Sequence, residues 1–232
     1  MTVAYDSRFI PAHGCHLGPT VLLMNEAPGP SEANAGIPSF GQQGANIFNA
    51  LRNAGISWAL SHNHFSWPIK PNTVQTDRHR RKEEFLADRA LHITSTNAYP
   101  FWPKPNPESS GFCTPDKVAV LSNWNRSRIR SEVLSTHRAI MICGSSAYLA
   151  CVGRNLQYPS AREFTLLSIT ELQDLNRRLS SQFELGWYMG HTRRWSLRAS
   201  ETKSTLRDIS RFLGWSLMED LCAPRKSCNQ RL

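Results

Sequence analysis

At 232 residues the chain is long enough for one well-buried α/β domain and short for two. Hydrophobic residues make up 40% of it and are spread along its length, which excludes a disordered chain and leaves no apolar stretch able to span a bilayer. Lys and Arg number 27 against 18 Asp and Glu, a formal net charge of +9; such a surplus favours a polyanionic partner, because each cation near a phosphate releases condensed counterions.

The start, Met1-Thr2-Val3-Ala4-Tyr5-Asp6, lacks the basic residues and apolar core of a secretory signal, and reads as cytoplasmic. His13, Cys15 and His16 have no second half-site at ligand spacing, so no metal site is expected. The six cysteines, at 15, 113, 143, 151, 222 and 228, form no C-x-x-C pair and read as reduced thiols. The first strand is Val21-Leu22-Leu23-Met24, stopped by the turn-rich Ala27-Pro28-Gly29-Pro30. Beyond Gly41 and Gly44, the apolar residues Ile47, Phe48, Leu51 and Ile56 mark an amphipathic helix ending near Gly55.

The stretch 57–82 is too long and mixed for an ordinary connection. It interleaves Trp58, His62, His64, Phe65 and Trp67 with Arg78, Arg80, Arg81 and Lys82, the pattern of an insertion facing unstacked nucleic acid, or else of a surface excursion closing a satellite core. A second strand covers Leu91 to Asn97. A helix runs from Pro115 to about His137, and a third strand covers Ala139-Ile140-Met141-Ile142-Cys143, ended by Gly144. Ser168 and Glu171 form a capping-box pattern opening a helix from Ile169 to Gln182. Leu185 to Met189 reads as a fourth strand, and a last helix spans about Glu201 to Leu213. The whole is a three-layer α/β/α sandwich around a mostly parallel four-stranded sheet, one domain over 1–218 with a flexible basic tail over 219–232. Loops leaving Asn25, Asn97, Gly144 and His191 meet beyond the carboxyl ends of the strands, where such sheets bind ligands.

The segment Asn25-Glu26-Ala27-Pro28-Gly29, followed by Gly36-Ile37-Pro38-Ser39-Phe40-Gly41-Gln42-Gln43-Gly44, resembles the first motif of family four and five uracil-DNA glycosylases, G-E-A-P-G and then G-R-P-F-V-G-R-A-G. Gly36, Pro38, Gly41 and Gly44 hold matching positions. Three later stretches agree in order: Thr96-Asn97 and Pro103 resemble the family's I-T-N segment, Gly144-Ser145-Ser146-Ala147 its G-A-T-A stretch, and Gly190-His191-Thr192 the site of its H-P-S motif. The similarity covers about residues 20 to 213 and is faint between the motifs. The chain departs from the pattern at the family's iron-sulfur cysteines: the N-terminal pair is absent and Phe101 replaces a third, so no cofactor is expected. Ser39 stands where the family's base-stacking Phe does, with Phe40 one place later. The third motif has become His191-Thr192-Arg193-Arg194-Trp195.

The resemblance implies a monomeric DNA glycosylase, with DNA as partner and no membrane. Breaking an N-glycosidic bond develops positive charge on the sugar and negative charge on the base, so two differently placed groups are needed. Glu26 takes the first role, stabilising the sugar and orienting water; His191 takes the second, donating to the base. Glu32, in the gap of the motif, is a weaker candidate acid. Asn25, Ser39, Phe40 and Asn97 would bind the base, Asn97 carrying the donor and acceptor that edge reading requires. Gly144, Ser145, Arg193, Arg194 and Trp195 would contact DNA, the arginines clamping phosphates and Trp195 filling the space a flipped nucleotide leaves. The competing readings are a cap or turn role for Asn97, a solvated basic loop with Trp195 in the core, a catalytically weak DNA-binding relative, and a hydrolase of free nucleosides or nucleotides. The loss of the Phe at Ser39 implies a pocket for uracil or a bulkier modified pyrimidine.

Overall fold

The computed structural model describes residues 4–5, 8–14, 20–61, 84, 86–104 and 114–219. The continuous apolar run Val21 to Met24 forms the middle of β2 (Thr20–Asn25), which follows the two-residue β1 (Ala4–Tyr5) and is buried at every position. A strand without polar alternation belongs inside a parallel sheet covered on both faces, and β2 lies there. It is parallel to β3 (Ile93–Asn97) on one side and to β5 (His137–Ile142) on the other, and β5 is parallel to β7 (Leu185–Tyr188). The four expected strands therefore form, with a fifth added at the edge: β6 (Thr165–Leu166) pairs antiparallel to β7, giving the order β3-β2-β5-β7-β6. Two residues are too few to show period-two alternation, which is why β6 left no trace in the pattern. A separate two-stranded ladder joins β1 to β4 (Pro103–Lys104).

Helices cover both faces. On one side α2 (Gln42–Asn53) and α10 (Ala199–Leu213) pack Ile47, Leu51, Leu206 and Ile209 against Val21, Leu23, Met141 and Trp187. On the other, α6 (Asn123–Glu132), α7 (Ser145–Val152) and α9 (Ile169–Leu179) bring Ile129, Tyr148, Leu149, Leu175 and Leu179 onto Leu22, Met24, Ile140 and Ile142. Successive residues of β2 thus feed opposite cores, as a pleated strand must. Each fully buried aliphatic side chain contributes about 1.5–3 kcal/mol.

Local chemistry sets the element ends. The capping box forms at α9: Ser168 Oγ accepts from the Glu171 amide at 3.3 Å, and Glu171 Oε2 accepts from the Ser168 amide at 2.7 Å. The single helix expected from Pro115 to His137 is instead α5 (Lys117–Leu121) followed by α6, because Ser122 turns extended and caps the second helix, accepting from Asn125 N at 3.2 Å. Residues 86–92 form a helix, α4, so β3 starts at Ile93 and not at Leu91. The loop after Asn25 holds a further short helix, α1 (Pro30–Ala35), and a one-turn helix, α8 (Pro159–Arg162), precedes β6. Of the segment 57–82, the described part is α3 (Ser57–Leu60) and Ser61; His62 to Lys82 and the tail beyond Glu219 lie outside the described residues. No described helix is long and apolar enough to cross a membrane.

Candidate active site

From β2 the chain passes to β3 on one side and then returns to β5 on the other. Connections leaving β2 and β5 in opposite directions open a crevice at their carboxyl ends, the usual ligand site of such sheets. Glu26, the first residue beyond β2, reaches across it. Its Oε1 accepts from the backbone amide of Ser146 at 2.9 Å, in the first turn of α7. That reach requires glycine at 144: a Cβ there would lie 2.3 Å from Glu26 Cδ, and φ is +100°.

The other carboxylate oxygen, Oε2, lies 4.0 Å from Nε2 of His191, just past β7. His191 Nδ1 accepts from the Arg193 amide at 3.2 Å, so the proton of the neutral ring sits on Nε2. Burial holds the imidazole below its usual range; Glu26 pulls it back up, while Arg193 and Arg194 push it down. Cys143, next after β5, is a buried thiol pushed up by burial and by Glu26, away from the thiolate form. Cys143 and Cys151 are the free, buried cysteines among the described residues, and no group of three or more His, Cys, Asp or Glu able to hold a metal ion occurs there.

The glycine spacing of the first motif has a physical cause in each part. Gly36 ends α1 with φ +69°, where a side chain is strained. Gly44 packs so closely on the Ser39 carbonyl that a Cβ would lie 2.0 Å from its oxygen. Glu32, buried, accepts from the amides of Gly29 and Gly41, each at 3.1 Å, and so draws the two glycine segments together. Arg89 is fully buried beside it. Its Nη1 and Nη2 donate to the carbonyls of Ser39 and Pro38 at 3.0 and 3.2 Å. Burial lowers its pKa to about 10, the nearby Glu32 opposing that shift.

A cleft of about 740 Å³ opens over these residues, lined by Glu26 to Glu32, Gln42, Gln43, Asn46, Trp102, Pro103, Thr114, Pro115 and His191 to Arg194. Of the residues expected from sequence, Glu26, His191, Arg193 and Arg194 meet there. Asn25 and Ser39 lie buried below, bonded to each other through Asn25 Nδ2 and Ser39 Oγ at 3.0 Å. Asn25 is fully committed, since Nδ2 also reaches the Thr96 carbonyl at 3.2 Å and Oδ1 accepts from Gln43. Phe40 is half-buried and Asn97 buried; neither lines the cleft. Gly144 and Ser145 sit at the start of α7 rather than on the cleft wall, the Ser145 hydroxyl bonded to Tyr188, whose phenol burial pushes up to about 12.

Trp195 takes the core placement, the second of its two readings, and not the outward one. It is 2% exposed and belongs to the core with Met189, Leu206 and Trp187, so as placed it cannot enter a duplex. Arg194 is half committed: Nη1 pairs with the buried Glu163 at 3.0 Å. Glu163 also lies 3.6 Å from Arg198 and against Gly190, where a Cβ would fall 2.6 Å from its Cγ. This carboxylate anchors the loop bearing His191. Glu163, Arg89, Gln42, Gln43, Asn46 and Trp102 escaped sequence reasoning; for the first two the one available signal was an ionic residue within a mostly apolar neighbourhood in space, which no local pattern encodes.

Among known proteins, no family model and no curated protein matches the chain.

Proposed function

We propose that the protein is a DNA glycosylase that hydrolyses the N-glycosidic bond of a nucleotide turned out of DNA, the base being uracil or a bulkier modified pyrimidine. The observation that carries this reading is the Glu26–His191 pair, 4.0 Å apart at the strand ends, with one group suited to each end of the breaking bond. Glu26 is held by a backbone amide, so its Oε2 faces the cleft without rearrangement, as electrostatic stabilisation of a cationic sugar requires. As the C1′–N bond breaks, its electron pair passes to the base, and the Nε2–H of His191 donates to the base oxygen where that charge collects. Water adds at C1′ and gives its proton to Glu26 or to solvent. The net charge of +9 supports DNA as partner, and the reading carries the cytoplasm as compartment.

The test is alkali cleavage of oligonucleotides carrying uracil, hypoxanthine, alkylated bases or large modified cytosines after incubation with wild type and Glu26→Gln. Abasic product from wild type, reduced about 10²- to 10⁴-fold in the variant with DNA binding retained, is the expected result. Equal product from both removes Glu26 from the chemistry, and no product from any substrate defeats the reading.

One observation favours a second reading, hydrolysis of a free nucleoside or nucleotide: Trp195 is in the core and Arg194 is tied to Glu163, so this loop offers less to a duplex. Binding of DNA that falls steeply with salt argues against it.

A further inference from the structure

No residue of the first motif offers an aromatic ring to the cleft. Ser39 is buried, its hydroxyl taken by Asn25, and Phe40 does not line the cleft. Among the described residues lining the cleft, Trp102, between β3 and β4, carries the one large aromatic ring. Its neighbour Phe101 is engaged, stacked on Trp124 with ring centres 6.0 Å apart and packed on Tyr99 at 5.5 Å. Trp58 stacks on His92, and Trp195 is in the core. Trp102, by contrast, has no ring, cation or hydrogen-bond partner among the described residues. An indole left half-buried on a cleft wall keeps an apolar face in water that a second flat ring would cover.

We infer that Trp102 supplies the stacking face for the extruded base, and that the base it takes is larger than uracil. This rests on the glycosylase reading. The larger size is argued from room: the open cleft measures about 740 Å³, within the roughly 300–1,000 Å³ range of pockets that take drug-sized molecules, and no ring of the first motif narrows it, since residue 39 is a serine and Phe40 lies off its wall. Stacking tolerates substituents at the rim of a pyrimidine, because every base has a π-face. Trp102 therefore acts by holding the base equally in the ground state and the transition state, while Glu26 and His191 act on the bond.

The experiment compares wild type, Trp102→Ala and Trp102→Phe under single-turnover conditions, on duplexes carrying uracil or a cytosine with a large substituent at C5. Wild type is expected to release the larger base with the higher efficiency. Trp102→Ala is expected to raise the half-saturating protein concentration between about fivefold and 150-fold, the range that loss of base–aromatic stacking spans, with the maximal rate unchanged. Trp102→Phe keeps most of the affinity. Should Trp102→Ala fail to fold, Trp102→Leu, which removes the π-face and keeps most of the volume, carries the same expectation. A variant equal to wild type on a base that wild type releases overturns the assignment of Trp102 and leaves the glycosylase reading standing, as does a loss confined to the maximal rate. Preference for uracil over the larger base overturns the size inference. Release of no base by wild type overturns both readings.

Discussion

Replacing Gly144 by alanine tests the placement of Glu26 without reference to any substrate. Gly144 has φ +100° and ψ 167°, a region nearly exclusive to glycine, so alanine costs about 1–3 kcal/mol in backbone strain. Its Cβ would also lie 2.3 Å from Glu26 Cδ and 2.7 Å from Oε1, forcing the carboxylate away and breaking its 2.9 Å bond from the Ser146 amide. A hydrogen bond to such a group contributes about 1.5–3 kcal/mol. Gly144→Ala is therefore expected to cost about 2.5–6 kcal/mol in the wild-type background and only the strain, about 1–3 kcal/mol, once Glu26→Ala has cleared the space. Urea unfolding of the four proteins of the cycle measures the difference as a coupling of about 1.5–3 kcal/mol. Gly36→Ala is the control: φ is +69° with nothing within 4 Å of the added methyl, so it costs about 1–2 kcal/mol in either background. A Gly144→Ala cost independent of residue 26 would refute the crossing of the crevice by this side chain.

Burial holds the His191 imidazole below its usual value. The folded chain then binds fewer protons than the unfolded one, so His191 has no effect on stability well above pH about 6.5 and lowers it as pH falls from there through the folded value. An NMR titration is expected to show a midpoint below about 6.5 that falls further in Glu26→Gln, where the charge that raises it is gone; a rise in the variant contradicts the pairing. Arg89→Met leaves the carbonyls of Pro38 and Ser39 buried without their donors, at about 1–3 kcal/mol each, and urea unfolding is expected to show a loss of about 2–6 kcal/mol. A change within about 0.5 kcal/mol, the range of an unremarkable surface substitution, would remove Arg89 as the support of the motif loop.

The parts of this molecule legible from sequence are those governed by nearby residues. The strands at 21–24, 139–143 and 185–189 announce themselves because a central parallel strand is apolar at consecutive positions, and the α9 cap because Ser168 and Glu171 are three apart. Glu26 and His191 follow apolar strands that the sequence marks, and the structure brings their side chains within 4.0 Å. The residues around them have no such local mark. Trp195 follows two arginines and reads either as an outward wedge or as core, and the 3₁₀ turn at Thr192–Arg194 carries it inward onto α10. Arg89 lies among charged residues, Glu84 and Asp88 near it in sequence, and no local pattern marks it as buried, because its partners, Pro38 and Ser39, are some fifty positions away. Asn25 reads as a polar residue at a ligand site, and its hydrogen bonds are all used in holding β2 to β3 and α2.

Glu32 has a consequence for the chain as a polymer. By binding the amides of Gly29 and Gly41 with its two oxygens, it closes a loop without a covalent bond, as a disulfide would in an oxidising compartment. The entropy lost in closing a loop grows only with the logarithm of its length, so lengthening this one would cost little by that measure. What fixes its length is registry: an added or deleted residue between 33 and 40 would move Gly41 off the carboxylate and Ser39 off Arg89 together. This stretch is therefore expected to tolerate exchange of residues at an exposed position such as Asn34 while resisting changes in their number.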